Sequence, residues 1–224
     1  PDASPVLAAW LVSTGDSPQR WATALKLRLG RPLSQLAWPD AIAGEAFERA
    51  ALDSGWQAVL SAWAAARAAW APQVVARRVQ DHQPRLHQKL YAVDRLQAAL
   101  ASWEQLLVDE DPAAIARAVF GKAVDEAERK RLALLGSDSL IRLTRKGEPA
   151  IDPHPFFDAV DAFLAASKGL SETGDRQRLR LLATFLDEGA ATLRGLKREH
   201  RQIAFDDMLS NLHRRLHDLD GHDG

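Results

Sequence analysis

Apolar positions along this chain recur at helical spacing, and nearly every segment reads as helix. β-branched residues are few and strict alternation is missing, so strand signals are scarce. The clearest period is Trp56, Trp63 and Trp70, seven apart, with Val59 and Leu60 between the first two. That spacing puts the indoles on one helix face. After Pro84, the residues Leu86, Leu90, Val93, Leu100 and Leu107 follow a matching three-four spacing. Two long helices with a short connection predict an antiparallel hairpin over about 44–108, its connecting end at Pro72 to Pro84 with another turn or two of helix. The competing expectation is that the tryptophans fill an ordinary core.

Helix punctuation divides the rest. Ser17-Pro18 reads as an N-cap with proline at N1, and Gly30 as the stop. Asp111-Pro112 repeats the device with Gly121 as its stop. Ser137 starts a short helix that Gly147 ends, and 147-GEPAIDPHP-155 is a rigid proline-rich link. A long helix is expected from about Asp175 to His200. Near the end, Phe205, Met208, Leu209, Leu212 and Leu216 fall at i, i+3, i+4, i+7 and i+11, one continuous apolar face. Asp206 and Asp207 occupy its first turn, where carboxylates complement the helix dipole. Adjacent helical aspartates point about 100° apart and do not converge on one ion. They begin a helix that docks on something. The fold class expected is therefore all-α, a multi-helix subdomain with a long hairpin.

Length and composition narrow the chemistry. The 224 residues, 46% hydrophobic, suffice for one core or two subdomains. Lys plus Arg number 29 against 30 Asp plus Glu, so nucleic-acid contact has to come from local patches. One lies at the hairpin end, in Arg77, Arg78, His82, Arg85, His87 and Lys89; another is Arg194, Lys197, Arg198 and Arg201. Such side chains bind phosphate without reading sequence, although a solvated charged face is the commoner use of such clusters. Cysteine is absent, which excludes disulfides and thiolate metal sites and fits a reducing compartment; the expected location is cytoplasmic. No apolar run reaches membrane-spanning length, and the N-terminal stretch does not read as a signal peptide.

Catalytic motifs are wanting. No GxxxxGK[ST] phosphate loop occurs; Phe120-Gly121-Lys122-Ala123 lacks the earlier glycine and the magnesium-binding hydroxyl. The run 106-LLVDED-111 imitates a magnesium-binding strand end, but reads better as the last turn of a helix followed by a solvated link. His213 and His217 have metal-ligand spacing, yet Arg214 and Arg215 between them repel a dication. No Ser-His-Asp pattern or GxSxG elbow appears.

The stretch 197-KREHRQIAFDDMLSNLHRRL-216 resembles the segment before the Asp-Glu motif of superfamily 1 DNA helicases, and most closely that of the RecB-type helicase-nucleases, the beta subunits of exodeoxyribonuclease V. The stretch 154-HPFFDAVDAFLA-165 resembles a second segment upstream of it in that family, and 10-WLVSTGDSPQRWATALKLRLGRPLS-34 has a looser likeness. Ala204 stands where the family has glycine. The resemblance implies an internal piece of a longer chain. Residues 1–200 would be a helical accessory subdomain of the 1B type. Residues 201–224 would return to a RecA-like motor, with Phe205, Asp206, Asp207, Met208, Leu209 and Leu212 docking there.

It further implies a parent that unwinds and degrades double-stranded DNA ends with ATP and magnesium, in a heterotrimer with alpha and gamma subunits that serves recombinational repair. The piece itself would hold no catalytic residue, cofactor or metal and would touch DNA through Arg77, Arg78, Arg85, Lys89, Arg194, Lys197, Arg198 and Arg201. The alternative expectation is a docking scaffold for the gamma subunit; near-zero net charge and seven tryptophans favour it.

Overall fold

The computed structural model describes residues 5–31, 37–40, 42–43, 45–108, 115–116, 119–120, 126–200, 208, 212 and 215. The described chain is all-α, as its periodicity predicts. The helices are α1 (Pro5–Thr14), α2 (Pro18–Leu29), α3 (Arg49–Ala69), α4 (Pro72–His82), α5 (Val93–Val108), α6 (Glu126–Leu132), α7 (Ser137–Arg142) and α8 (Pro155–Glu199), with 3-10 turns at Gln83–Arg85 and Ala133–Leu135. Among the described residues the only β-type pairing is one antiparallel bridge, Leu86 with Thr144. The chain forms two compact units, one from Pro1–Gly15 and Arg49–Gly174, the other from Asp16–Glu48 and Asp175–Gly224.

The first unit is organised around α3, α4 and α5. The buried face of α3 is Leu52, Trp56, Val59, Trp63 and Ala66, so Trp56 and Trp63 are core residues. Trp70 lies just past the helix end and packs on Phe156 at a ring distance of 4.8 Å. The hairpin expected over 44–108 contains three helices instead of two. Pro72 opens α4 at its first turn, where its missing N–H costs nothing, and Val75, Val79 and His82 bury a complete stripe. Each such aliphatic burial contributes roughly 1.5–3 kcal/mol, enough to make the expected connection a packed helix.

The following helix begins at Val93, not after Pro84. Leu86 and Tyr91 are fully buried from a non-helical segment, while Leu90 and Val93, expected on the apolar face, are exposed. The periodicity through 86–93 is therefore not that of one helix; the backbone there turns, with His87 O accepting from the amides of Leu90 and Tyr91 at 3.0 Å.

Helix α5 carries the centre of the core. Its buried stripe is Leu96, Ala99, Trp103 and Leu107. The Trp103 ring meets Phe156 and Phe163 edge-on, both at 5.6 Å, and its indole N–H donates to Leu132 O at 2.9 Å. Trp63 donates similarly to Leu106 O at 3.0 Å, tying α3 to α5. These bonds satisfy polar tips that burial would otherwise leave costly. Leu106 to Val108 close α5 as helix, as the reading of 106-LLVDED-111 requires; residues 109–111 lie outside the described residues. The same holds for Asp111-Pro112 and Gly121, although Ile115, Ala116, Val119 and Phe120 between them are helical and buried.

Two helix boundaries differ from expectation. Helix α7 starts at Ser137 but stops at Arg142; Gly147, with φ +89°, serves a later turn in which Glu148 N–H bonds to Arg145 O. Helix α8 begins at Pro155, well before Asp175. His154 caps it, its Nδ1 accepting from the Phe156 amide at 3.2 Å. The helix runs through Gly169 and Gly174. A Cβ on Gly174 would lie 2.6 Å from the Trp10 indole nitrogen, so glycine there makes room for a buried tryptophan of α1.

In the second unit, Ser17 Oγ accepts from the Arg20 amide at 3.2 Å, Pro18 follows it, and Gly30 closes α2 as predicted. Trp21 packs on Phe185 at 5.2 Å, and Leu25 lies against Gly189. Asp16 and Arg178 form a two-bond ion pair at 2.6 and 2.8 Å. Gln177 Oε1 accepts from the Glu48 amide at 2.7 Å, and Arg180 pairs with Glu45 at 3.5 Å.

Candidate nucleic-acid interface

The segment from α4 to Tyr91 separates apolar from basic side chains. Val75, Val79, Leu86 and Tyr91 point into the core; Arg77, Arg85, His87 and Lys89 are exposed and Arg78 is half-buried. Arg77 sits 3.8 Å from Asp81, one helical turn on, but both side chains are about as open as they can be, at 84% and 74%. Such a pair contributes little and leaves the guanidinium available.

His82, grouped with these cations by sequence, belongs to the core instead. Its Nε2 lies 3.1 Å from Thr144 Oγ1. Thr144 spends its own hydroxyl proton on Leu140 O at 2.7 Å, so the imidazole nitrogen is the donor in the histidine–threonine bond. Burial, reinforced by the nearby Arg85 charge, lowers the His82 pKa, against opposing pulls from Asp152 and Glu148.

Thr144 brings a second basic segment to the first. The amide of Arg145 donates to Arg85 O at 2.8 Å and that of His87 to Leu143 O at 3.0 Å, which frames Leu86 and Thr144 as a non-hydrogen-bonded antiparallel pair. The Arg145 guanidinium also donates to Pro84 O. Arg142 and Tyr91 are close enough for the cation to influence the phenol, whose pKa burial pushes far up and whose hydroxyl donates to Leu134 O at 2.8 Å. Arg142, Arg145 and Lys146 are all exposed. Sequence reasoning missed them, although 142-RLTRK-146 is itself a basic run. Across 77–91 and 142–148 there are seven Arg and Lys against two acids, Asp81 and Glu148, in a chain whose total charge is −1.

The other predicted sites fall elsewhere. Arg194, Lys197 and Arg198 lie in the last turns of α8, the first two half-buried and the third exposed; they belong to the second unit. Arg201, Phe205, Asp206, Asp207 and Leu209 lie outside the described residues, as do His213 and His217. Met208 and Leu212 are helical and more than half exposed.

Among the described residues no group of three His, Cys, Asp or Glu could hold a metal ion, and no helix is long and apolar enough to cross a membrane. What the surface offers is charge and forked donors, a chemistry suited to phosphate oxygens. No protein-family model matches the chain, and neither a curated protein nor a solved structure matches it significantly.

Proposed function

We propose that this chain is an accessory DNA-contacting module of a RecB-type helicase-nuclease, the exodeoxyribonuclease V beta subunit, acting in double-strand break repair and recombination. Its role is to hold the phosphate backbone of double-stranded ends or forks, without catalytic residues of its own. ATP, magnesium and the alpha and gamma subunits belong to the parent assembly in this reading. The sequence resemblance in 154–165 and 197–216 motivates the family. The observation that carries the binding role is the segregation of Arg77, Arg85 and Lys89, with Arg78, on the outside of a segment whose apolar residues are buried.

The test is fluorescence anisotropy with a labelled forked duplex at low and near-physiological salt. Binding should weaken steeply with salt and be lost when Arg77, Arg78, Arg85 and Lys89 are changed to Glu. Unchanged affinity in that variant would sink the proposal. The exposed Met208 and Leu212 favour a second reading, a scaffold that docks an apolar partner face such as the gamma subunit. Binding to that subunit would be nearly insensitive to salt and lost on Met208→Asp with Leu212→Asp.

A further inference from the structure

The two basic segments meet in a way that neither one predicts. Antiparallel pairing of Leu86 with Thr144 puts residues 85 and 145 opposite each other on the face away from the buried Leu86. Two arginines in such positions repel each other, and like charges directly opposite destabilise a pairing. Further exposed cations flank the pair along the chain, Lys89 on the first segment and Arg142 and Lys146 on the second. Among the described residues none of these five has a carboxylate within ion-pair distance; ion pairs of this unit, such as Arg49–Asp53, Arg77–Asp81, Arg131–Glu128 and Lys168–Glu172, lie on other cations. Glu148 and Asp152 lie close enough to pull the His82 pKa upward, and Asp161 acts on Tyr91 as Arg142 does, in the opposite sense. A surface that gathers unpaired cations against their mutual repulsion is stabilised by a polyanion.

The aromatic content says which polyanion. Grip on unpaired strands relies on bases stacking on exposed rings. In 77–91 and 142–148 the one Phe, Tyr or Trp is Tyr91, which is fully buried with its hydroxyl on Leu134 O; His87 is the sole exposed ring. The surface offers charge and forked donors, and close to no stacking platform.

We propose that Arg142, Arg145 and Lys146, joined to Arg85 and Lys89 across the Leu86–Thr144 bridge, complete one sequence-independent surface for the phosphate backbone of duplex nucleic acid in preference to single strands. This rests on the DNA-contacting reading above and extends it to three residues and to a preference for duplex over single strands. Duplex carries the higher linear charge density, so more counterions are released per cation placed.

The experiment uses the whole chain, with a labelled duplex and a labelled single strand of equal length titrated over a range of salt. Three proteins are compared: the unaltered chain, the triple variant Arg142→Glu, Arg145→Glu, Lys146→Glu, and the quadruple variant at 77, 78, 85 and 89. Because Arg145 bonds to Pro84 O, the double variant Arg142→Gln, Lys146→Gln is run beside the triple one, with circular dichroism melts as the check on folding. Duplex affinity is expected to fall at least about tenfold in the triple variant. The log–log salt slope should flatten by about 0.9 for each phosphate that is no longer neutralised, in the double variant as well.

If the quadruple variant loses duplex while the triple and double variants keep the affinity and slope of the unaltered chain, this inference is overturned and the DNA-contacting reading stands. If no protein binds duplex at low salt, or no variant differs, both fail together. Single strand bound as tightly as duplex overturns the preference.

Discussion

The two units hold themselves together by different physics. In the unit built on α3, α4 and α5, indoles and phenylalanines interlock at the centre, and Trp103, Phe156 and Val59 are wholly enclosed. In the other, α2 buries no side chain, and the described core is reduced to Ile42, Leu186 and Ala190 with the polar Gln177. Its distant segments are joined instead by directed polar bonds, Asp16 to Arg178, Glu48 to Gln177 and Glu45 to Arg180. Area removed from water stabilises without regard to direction and survives salt. Hydrogen bonds and ion pairs contribute only the difference between protein and water partners, about 0.5–1.5 kcal/mol, somewhat more with charge. The contrast teaches where rigidity lies: the basic face built on Arg85 and Arg145 rests on the densely packed unit, whereas the basic end of α8 belongs to the sparsely packed one.

The largest effect that would test this contrast is at its centre. Trp103→Ala should cost about 3–5 kcal/mol, because it removes a full aromatic and strands a cavity between Phe156 and Phe163. Trp21→Ala, at a half-buried ring on Phe185, should cost under about 2 kcal/mol. Urea denaturation of both variants measures this, and amide exchange should be slower in α5 than in α2. Equal losses from the two substitutions would erase the distinction.

A smaller effect sharpens it from the other side. Asp16→Ala should cost about 1–2 kcal/mol, low for a charge-assisted pair because a third of the Arg178 side chain is open to solvent. The cost should shrink in high salt, while that of Trp103→Ala should not. Denaturation of both variants in low and high salt checks the pair.

The smallest effect concerns pH. Burial first, and then the Arg85 charge, hold the His82 pKa in the folded state below the ordinary 6.5. The unfolded chain binds the proton more readily, and stability therefore rises with pH in this window. The contribution is complete above about 6.5 and is lost as pH falls from there through the folded value. His154, lowered by burial and by Arg78, acts in the same direction. Chemical denaturation from pH 7.5 to 5 should show stability declining, and His82→Gln should remove one part of that decline. A stability that is flat or rises towards pH 5 would contradict the lowered pKa of the buried His82.

Much of the fold was legible from periodicity and punctuation. The stripe of α3, the Ser17-Pro18 start and the Gly30 stop are local matters, decided within a few residues by side-chain spacing and by which backbone groups lack partners. The misread places are those where distance decided. The long helix expected from Asp175 starts instead at Pro155 and takes in Gly174, whose missing side chain leaves the space that Trp10, far away in the chain, occupies. Leu86 and Leu90 share a plausible helical spacing, but the pairing with Thr144 holds Leu86 in and leaves Leu90 exposed. Half of the candidate interface, Arg77 through Lys89, was visible as a charge cluster. The other half, Arg142, Arg145 and Lys146, joined it only through the backbone bonds of 85, 87, 143 and 145.

By itself, then, the sequence determined that this protein is helical, which faces of its helices are apolar, and that its charge is concentrated in patches instead of spread as a field. Those properties follow from the 3.6-residue repeat and from residue type, and need no partner from elsewhere in the chain. Tertiary structure alone decided that three helices occupy 49–108, that α8 passes through its glycines, that His82 belongs to the core, and that two basic runs more than fifty residues apart form one face. The reason is that a buried contact or a bridging hydrogen bond has no signature in local spacing: its partner is chosen by the packing of the whole unit, where the area removed from water is greatest and every enclosed polar group still finds an acceptor.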